Sequence, residues 1–173
     1  MNNFTKLIML ISTIVLVIGG GFSFYFTYQA QSRDDLSDYS DVIAIDGFDA
    51  VAYHTDGIAQ QGKHNFQVTW AGFHWYFATL ENRQMFNENP EKYAPQFGGL
   101  DPYAMALNGT LQPATPELWQ IDDTGKLYLF YSGETRKRWR EDMEKYNTAA
   151  NLHWERLTQQ MKYKAEILKK DTQ

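Results

Sequence analysis

Three histidines in the middle of the chain have the chemistry of metal ligands. Neutral imidazole nitrogens bind zinc or copper when three or four ligands converge on one point. The spacings of His54, His64 and His74 match no recognised ligand motif. His74 also lies between Phe73 and Trp75 in a predicted strand, so its side chain points to the opposite face from theirs. The histidines are therefore candidate ligands. The alternative for a histidine in a strand, such as His74, is a hydrogen bond within the protein that holds the ring in position.

Several other kinds of chemistry are excluded by the sequence. The chain contains no cysteine, which excludes disulfides, thiolate zinc sites, iron–sulfur clusters and cysteine nucleophiles. It also contains no nucleophile elbow, phosphate-binding loop or zinc-protease helix motif. Asp46 and Asp49 can form a carboxylate pair, but they flank a turn, where capping hydrogen bonds are the expected role. The sequence therefore favours a non-catalytic protein.

The charge of the chain argues against a nucleic-acid partner. The net charge is −5 and the isoelectric point is near 5.3, whereas phosphate binding needs a basic face. The lysines near the C-terminus are expected on the solvated side of a helix.

The N-terminal segment is predicted to be a membrane anchor. Residues 7–26 carry no charged side chain, and this length is sufficient to cross a bilayer as a helix. A cleaved signal peptide with its cut after Ala30 is the alternative, although Tyr28 occupies a position where a small residue is expected. We therefore assign residues 1–28 to an anchor or signal. The weak bias in basic residues places the domain outside the cytoplasmic membrane, which is the periplasm in a bacterium, or secreted if the segment is cleaved.

An acidic tether and one folded domain follow the anchor. Residues 29–41 are polar and acidic without a hydrophobic period, and residues 42–173 are expected to form the domain. Alternating apolar residues over residues 66–70, a turn signal at Ala71–Gly72 and a second apolar strand predict a hairpin. A second hairpin is predicted over residues 118–131.

Helices are predicted after each hairpin. Thr79 is a candidate N-cap for a helix to about Asn87, and Pro90 starts another helical turn. Ser132 is a candidate N-cap for a continuous amphipathic helix that ends near Lys170. No internal repeat is visible in the sequence. The predicted class is α+β, with two β-hairpins and a long C-terminal helix.

Three stretches of the sequence resemble the YHS-domain family. They read "AIDGFDAVAYHTDG", "FHWYFATLENRQMFNENPEKYAPQFGG" and "GKLYLFYSGETRKRW". Together they are similar to the extracytoplasmic branch of small single-domain members, over residues 43–154. The resemblance implies a small treble-clef-like domain and an association with metals, because the better-known members occur beside heavy-metal transporters.

The positions that carry cysteine in this family hold other residues here. The family pattern "DPVCGM … YFCSxxCxxxF" places its cysteines at Ala52, Ala78 and Asn82 of this chain. Where the closer branch commonly has a cysteine after the Gly-Gly pair, this chain has Asp101. The resemblance therefore adds Asp101 to the three histidines as a candidate ligand for zinc or copper.

The aromatic residues around the first hairpin suggest a second kind of site. Tyr76 and Tyr103 carry polar tips and can line a small-ligand pocket as well as fill a core. The primary hypothesis is a membrane-anchored, non-catalytic binding module that retains metal binding or contacts an envelope protein. An envelope enzyme or enzyme accessory, with a pocket around His74, Asp101 and Tyr103, is the alternative. A purely structural interaction domain is a third possibility.

Overall fold

The computed structural model describes residues 42–171. This part of the chain is α+β, as predicted, with two antiparallel hairpins and a long C-terminal helix. The predicted anchor (residues 1–28) and tether (residues 29–41) lie outside the described residues. Among residues 42–171, no helix combines the length and the apolar character that a membrane span requires.

The first hairpin consists of β1 (Lys63–Trp70) and β2 (Phe73–Phe77). Ala71 and Gly72 connect the strands with φ angles of 52° and 81°, the left-handed values that suit the twist of a tight hairpin. One face of the hairpin carries the buried rings of Trp75 and Phe77. These rings pack against Phe86 of the following helix, with centroids 4.9 and 5.0 Å from its ring.

Four helices precede the second hairpin in the described part of the chain. They are α1 (Ala52–Thr55), α2 (Leu80–Glu88), α3 (Pro90–Tyr93) and α4 (Pro102–Asn108). Thr79 caps α2 as predicted, because its side chain accepts from the Asn82 amide at 3.1 Å. Two 3₁₀ turns, Ala44–Gly47 and Gln96–Gly99, precede α1 and α4.

The second hairpin pairs β3 (Thr115–Ile121) with β4 (Leu127–Phe130), and two helices follow it. Ser132 caps α5 (Gly133–Glu141), as predicted. The predicted continuous helix from Ser132 to Lys170 is wrong at one point, because α5 ends at Glu141 and α6 spans Met143–Asp171. Asp142, between them, has a non-helical backbone, with φ −158° and ψ 76°, and its carboxylate accepts from the Lys145 amide at 3.1 Å. This cap on α6 accounts for the break, since a capping residue lies outside the helix that it starts.

The described domain contains the same arrangement twice. Residues 43–94 form the first half and residues 95–147 the second half. Each half contains a 3₁₀ turn, a short helix, an antiparallel hairpin, a nine-residue helix and then the capped start of a further helix. Each hairpin also has an irregularity near the start of its first strand. The order of elements is therefore that of a structural duplication.

Backbone details support the duplication. Both 3₁₀ turns contain a non-glycine residue in the left-handed region, Ile45 with φ 43° and Phe97 with φ 56°, which is uncommon for such side chains. The Asp49 amide donates to the Gln60 carbonyl at 2.8 Å, and the Asp101 amide donates to the Gln112 carbonyl at 2.9 Å. Up to the turn of each hairpin, a residue of the first half thus corresponds to the residue of the second half that is numbered 52 higher.

The first half packs on one face of the second hairpin. Leu127 and Leu129 are 0% and 1% exposed on that face, in one cluster with Tyr53 of α1. The hydroxyl of Tyr53 donates to the Pro116 carbonyl at 2.9 Å, and its ring meets the Trp119 ring at 5.4 Å. Buried apolar area and a satisfied hydroxyl therefore join the halves.

Gly99 offers a test of how tightly the halves pack. Gly99 and Gly125 both have φ +82°, but a Cβ on Gly99 would lie 2.9 Å from Ile45 Cγ2, whereas a Cβ on Gly125 would meet nothing within 4 Å. We expect Gly125→Ala to lower the free energy of unfolding by about 1–2 kcal/mol, the cost of the left-handed backbone. Gly99→Ala should lower it by about 1–3 kcal/mol more through overpacking.

The measurement is chemical denaturation of the full-length chain in detergent, followed by circular dichroism. Gly125→Ala is the matched control, because it has the same backbone angle without the steric contact. Equal losses in the two variants would contradict close packing between the halves at Gly99.

Candidate functional site

The carboxylate of Asp49 joins three separate parts of the first half. Its Oδ1 accepts from the amide of Val51, just before α1, at 2.8 Å and from the amide of Ala52, the first residue of α1, at 3.2 Å. Its Oδ2 accepts from the Ala78 amide at 2.7 Å and from Asn82 Nδ2 at 2.8 Å. Asp49 is 0% exposed, and hydrogen bonds to a carboxylate offset the cost of burying it. The side chain therefore ties α1 to the corner between β2 and α2.

The residues around Asp49 include every knuckle position that the YHS resemblance assigns to cysteine. Ala52, Ala78 and Asn82 each donate to the Asp49 carboxylate, although Ala52 lies far from the other two in the sequence. The three positions thus converge on one point in space. A carboxylate with protein donors links them there, where thiolates around a metal link them in the family pattern.

Asp101 has the same role in the second half. Its Oδ1 accepts from the Ala104 amide at 2.8 Å. Its Oδ2 accepts from the Tyr131 amide at 2.8 Å and from Thr135 Oγ1 at 2.6 Å. Asp101 is 0% exposed, so its oxygens face donors within the protein. This accounts for the carboxylate without the metal that the resemblance suggested.

The four predicted metal ligands are not brought together. Among residues 42–171, no group of three or more histidine, cysteine, aspartate or glutamate residues could hold a metal ion. His64 is exposed beside the Tyr76 ring, with centroids 5.3 Å apart. His74 lies on the same hairpin, where its Nδ1 is 3.1 Å from Thr69 Oγ1. Packing and hydrogen bonds within the protein thus account for these two histidines individually.

His54 lies at another place, between α1 and α3. Its ring meets the Tyr93 ring edge-on, with centroids 5.3 Å apart and an interplanar angle of 87°. Burial lowers the pKa of His54, the charge of Lys92 lowers it further, and a hydrogen bond with the Tyr93 backbone acts in the opposite direction. The neutral imidazole is therefore the favoured form.

Tyr76 and Tyr103 contact different rings. Tyr103 of α4 packs on Tyr146 of α6, with ring centroids 5.0 Å apart, whereas Tyr76 lies on the first hairpin beside His64. Two surface depressions of the described part are lined by residues at the start of α6 and by residues of β1 with α2, and these tyrosines line neither of them. A small-ligand pocket at Tyr76 and Tyr103 stays a prediction.

The outer face of the first hairpin is polar and partly exposed, whereas its equivalent in the second half is apolar and covered. We define this outer face by the side chains that point away from Trp75 and Phe77. They are Gln67, Thr69, His74 and Tyr76. Their equivalents in the second hairpin are Trp119, Ile121, Leu127 and Leu129, all of which contribute to the cluster under Tyr53.

The contrast between these two faces was not anticipated from the sequence. Alternation of polar and apolar residues in β1 predicts one solvated face, which agrees with exposed Gln67 and Thr69. In β4 all four residues are buried, which identifies a strand covered on both faces. The run of apolar residues in β4 was the signal for this difference, but only the duplication relates the two hairpins to each other.

Comparison of the chain with family models, with curated proteins and with solved structures finds no match.

The Asp49 carboxylate should be essential for the stability of the first half. In Asp49→Asn the amide nitrogen replaces one acceptor oxygen and faces donors, so we expect the free energy of unfolding to fall by about 2–4 kcal/mol. Exposed Asp46 is the matched control, because it accepts from Gln61 through its backbone carbonyl at 3.1 Å. Asp46→Asn should change the free energy of unfolding by less than about 0.5 kcal/mol.

Denaturant unfolding of the full-length variants measures both values. A similar small loss for Asp49→Asn and Asp46→Asn would show that the buried carboxylate does not hold α1 to the corner between β2 and α2.

Proposed function

We propose that this chain is a YHS-like, treble-clef-like domain held outside the cytoplasmic membrane by its N-terminal segment, and that it acts as a non-catalytic binding module. The contact surface is the outer face of the first hairpin, and the partner is an envelope protein. The observation that carries this proposal is the contrast between this polar, partly exposed face and its apolar, covered equivalent in the second hairpin.

The relationship to the YHS family is supported by geometry as well as by sequence. The family's cysteine pattern, laid on this chain, selects Ala52, Ala78 and Asn82. Residues chosen by an unrelated pattern have no reason to meet, yet each of these three donates to one carboxylate. This convergence is what a shared corner architecture, with altered ligands, would produce.

A role in protein binding is favoured over a role in metal binding. The three knuckle positions of the family donate to Asp49, and the further position holds Asp101, whose oxygens also accept from protein donors. A histidine metal site is not part of the proposal, because the described residues form no suitable group. Binding through a surface needs no such group.

The outer face offers a specific set of contacts to a partner. Gln67 supplies an amide, Thr69 a hydroxyl, and Tyr76 both a ring and a hydroxyl, while His64 extends the ring surface beside Tyr76. These groups donate and accept hydrogen bonds, and aromatic rings contribute contact area at low entropic cost. Such a face suits a polar protein surface with complementary hydrogen-bonding groups rather than an apolar one.

Site-specific photocrosslinking tests the contact face. A photoreactive phenylalanine analogue replaces Tyr76 in the full-length chain, produced in cells that naturally contain it. We expect a discrete crosslinked product of constant mass. Tyr131, which is 53% exposed on the second half, is the matched control position and should give no such product. The same product from both positions, or none from Tyr76, would contradict the assignment of the face.

The membrane anchor requires its own test. We expect the mature protein to retain residues 1–30 and to stay with the membrane after an alkaline carbonate wash. Leu16→Arg places a charge in the middle of the apolar segment, which costs about 2.5–3.5 kcal/mol on insertion scales, so it should increase the extracted fraction. A mature N-terminus that begins after Ala30 would replace the anchored protein with a secreted one.

A further inference from the structure

One ring nitrogen of His54 is buried without a partner. Among the described residues, Nε2 of His54 has essentially no solvent exposure and no hydrogen-bond partner. The ring lies between α1 and α3, edge-on to the Tyr93 ring. A buried polar atom without a partner is uncommon in proteins and requires an explanation. In the neutral imidazole one nitrogen carries a lone pair and no proton. Leaving this acceptor without a partner costs less free energy than leaving a buried N–H donor without one.

A second proton would make this arrangement unfavourable. The imidazolium has an N–H on both nitrogens, so Nε2 would become a buried donor without an acceptor. The charged group that acts on His54 from α3 is the ammonium of Lys92, which has the same sign as the imidazolium. Hydrogen bonding with the Tyr93 backbone is the opposing, favourable contribution. Protonation therefore works against the contact between α1 and α3.

The second half provides an internal comparison. Lys145 and Tyr146 at the start of α6 correspond to Lys92 and Tyr93, and in both pairs the lysine ammonium lies over the tyrosine ring, at 4.9 and 5.4 Å from the centroid. The residue that corresponds to His54 is Ala106, which is 7% exposed. The position equivalent to His54 thus carries an alanine in the second half, beside the same arrangement of lysine over tyrosine.

We propose that His54 is a proton-controlled latch between α1 and α3. With a neutral ring, α3 stays packed on α1, and with a protonated ring this contact opens while the second half stays closed. Asp49 holds the start of α1, so the opening is local and involves the end of α1, residues 54–57, together with α3.

The direction of the pH dependence follows from linkage. The pKa of His54 in the folded protein lies below its ordinary value of 6.5, so the unfolded or opened state binds more protons. The stabilising contribution is fully present above about pH 6.5 and is lost as the pH falls toward the lower folded value. The population of the opened state should rise by at most about tenfold for each pH unit in that window.

Amide hydrogen exchange of the full-length chain in detergent tests the latch. Exchange rates are corrected for their intrinsic pH dependence and compared at pH 7.5 and pH 5.5. We expect faster exchange at pH 5.5, by up to about tenfold, in peptides that cover residues 50–57 and 90–94. Peptides that cover residues 143–147, the equivalent of α3, should not change. Residues 102–109 are left out of this comparison because His153 lies against Gly109.

Two variants and one control separate His54 from the other histidines. His54→Ala reproduces the residue found in the second half, and His54→Gln keeps a polar side chain of similar size. Both should remove the pH response of residues 50–57. His64→Gln, at an exposed histidine, should retain it. A response that persists in both His54 variants, or that disappears in His64→Gln, would overturn the proposal.

Proton NMR titration of the wild-type chain avoids dependence on any variant's folding. The His54 ring resonance is identified by its loss in His54→Gln. The latch requires this ring to titrate at a lower pH in the folded chain than in the same chain unfolded in denaturant. Titration at the same pH in the two states would overturn the proposal.

Discussion

The structure depends on a buried carboxylate that ties a short helix to the corner between a strand and the next helix. Asp49 does this in the first half and Asp101 in the second. A helix as short as α1 cannot be stable by itself, since helix nucleation is unfavourable and too few bonds follow it. The aspartate supplies acceptors to the free amides at the start of that helix and also fixes where it lies. The position of the hairpin, the capped helices and the aromatic core follows from this connection.

Duplication explains why two hairpins with the same backbone have different surfaces. In the second hairpin, the face toward the first half consists of Leu127 and Leu129 with Trp119 and Ile121. In the first hairpin the corresponding side chains are polar, with Gln67 and Thr69 exposed and His74 and Tyr76 half-buried. Burial has therefore selected apolar residues in one copy, and exposure has allowed hydrogen-bonding residues in the other. His54 and Ala106 likewise occupy equivalent positions with different side chains, half-buried in the first half and 7% exposed in the second.

Local features were predictable from the sequence, and long-range ones were not. The hairpins, the α+β class and the caps at Thr79 and Ser132 follow from alternation and from residue preference at helix starts. The break at Asp142 was missed because a continuous apolar period outweighed a single capping residue. The role of Asp49 was predicted only as a local cap, since its bonds to Ala78 and Asn82 join residues that no short pattern connects. The duplication was missed because identical residues, such as Asp49 with Asp101 and Tyr93 with Tyr146, are scattered among equivalent positions that differ in residue type.

The equal spacing of the two carboxylate connections has a consequence for folding. Asp49 reaches partners 29 and 33 residues away, and Asp101 reaches partners 30 and 34 residues away. Each connection closes a loop inside its own half, and the entropy lost on closure grows only slowly with loop length. The chain entropy therefore favours neither half as the site where structure first forms. The order of assembly is left to the stability of each hairpin, and a ribosome that releases residues 43–94 first gives that half an earlier start.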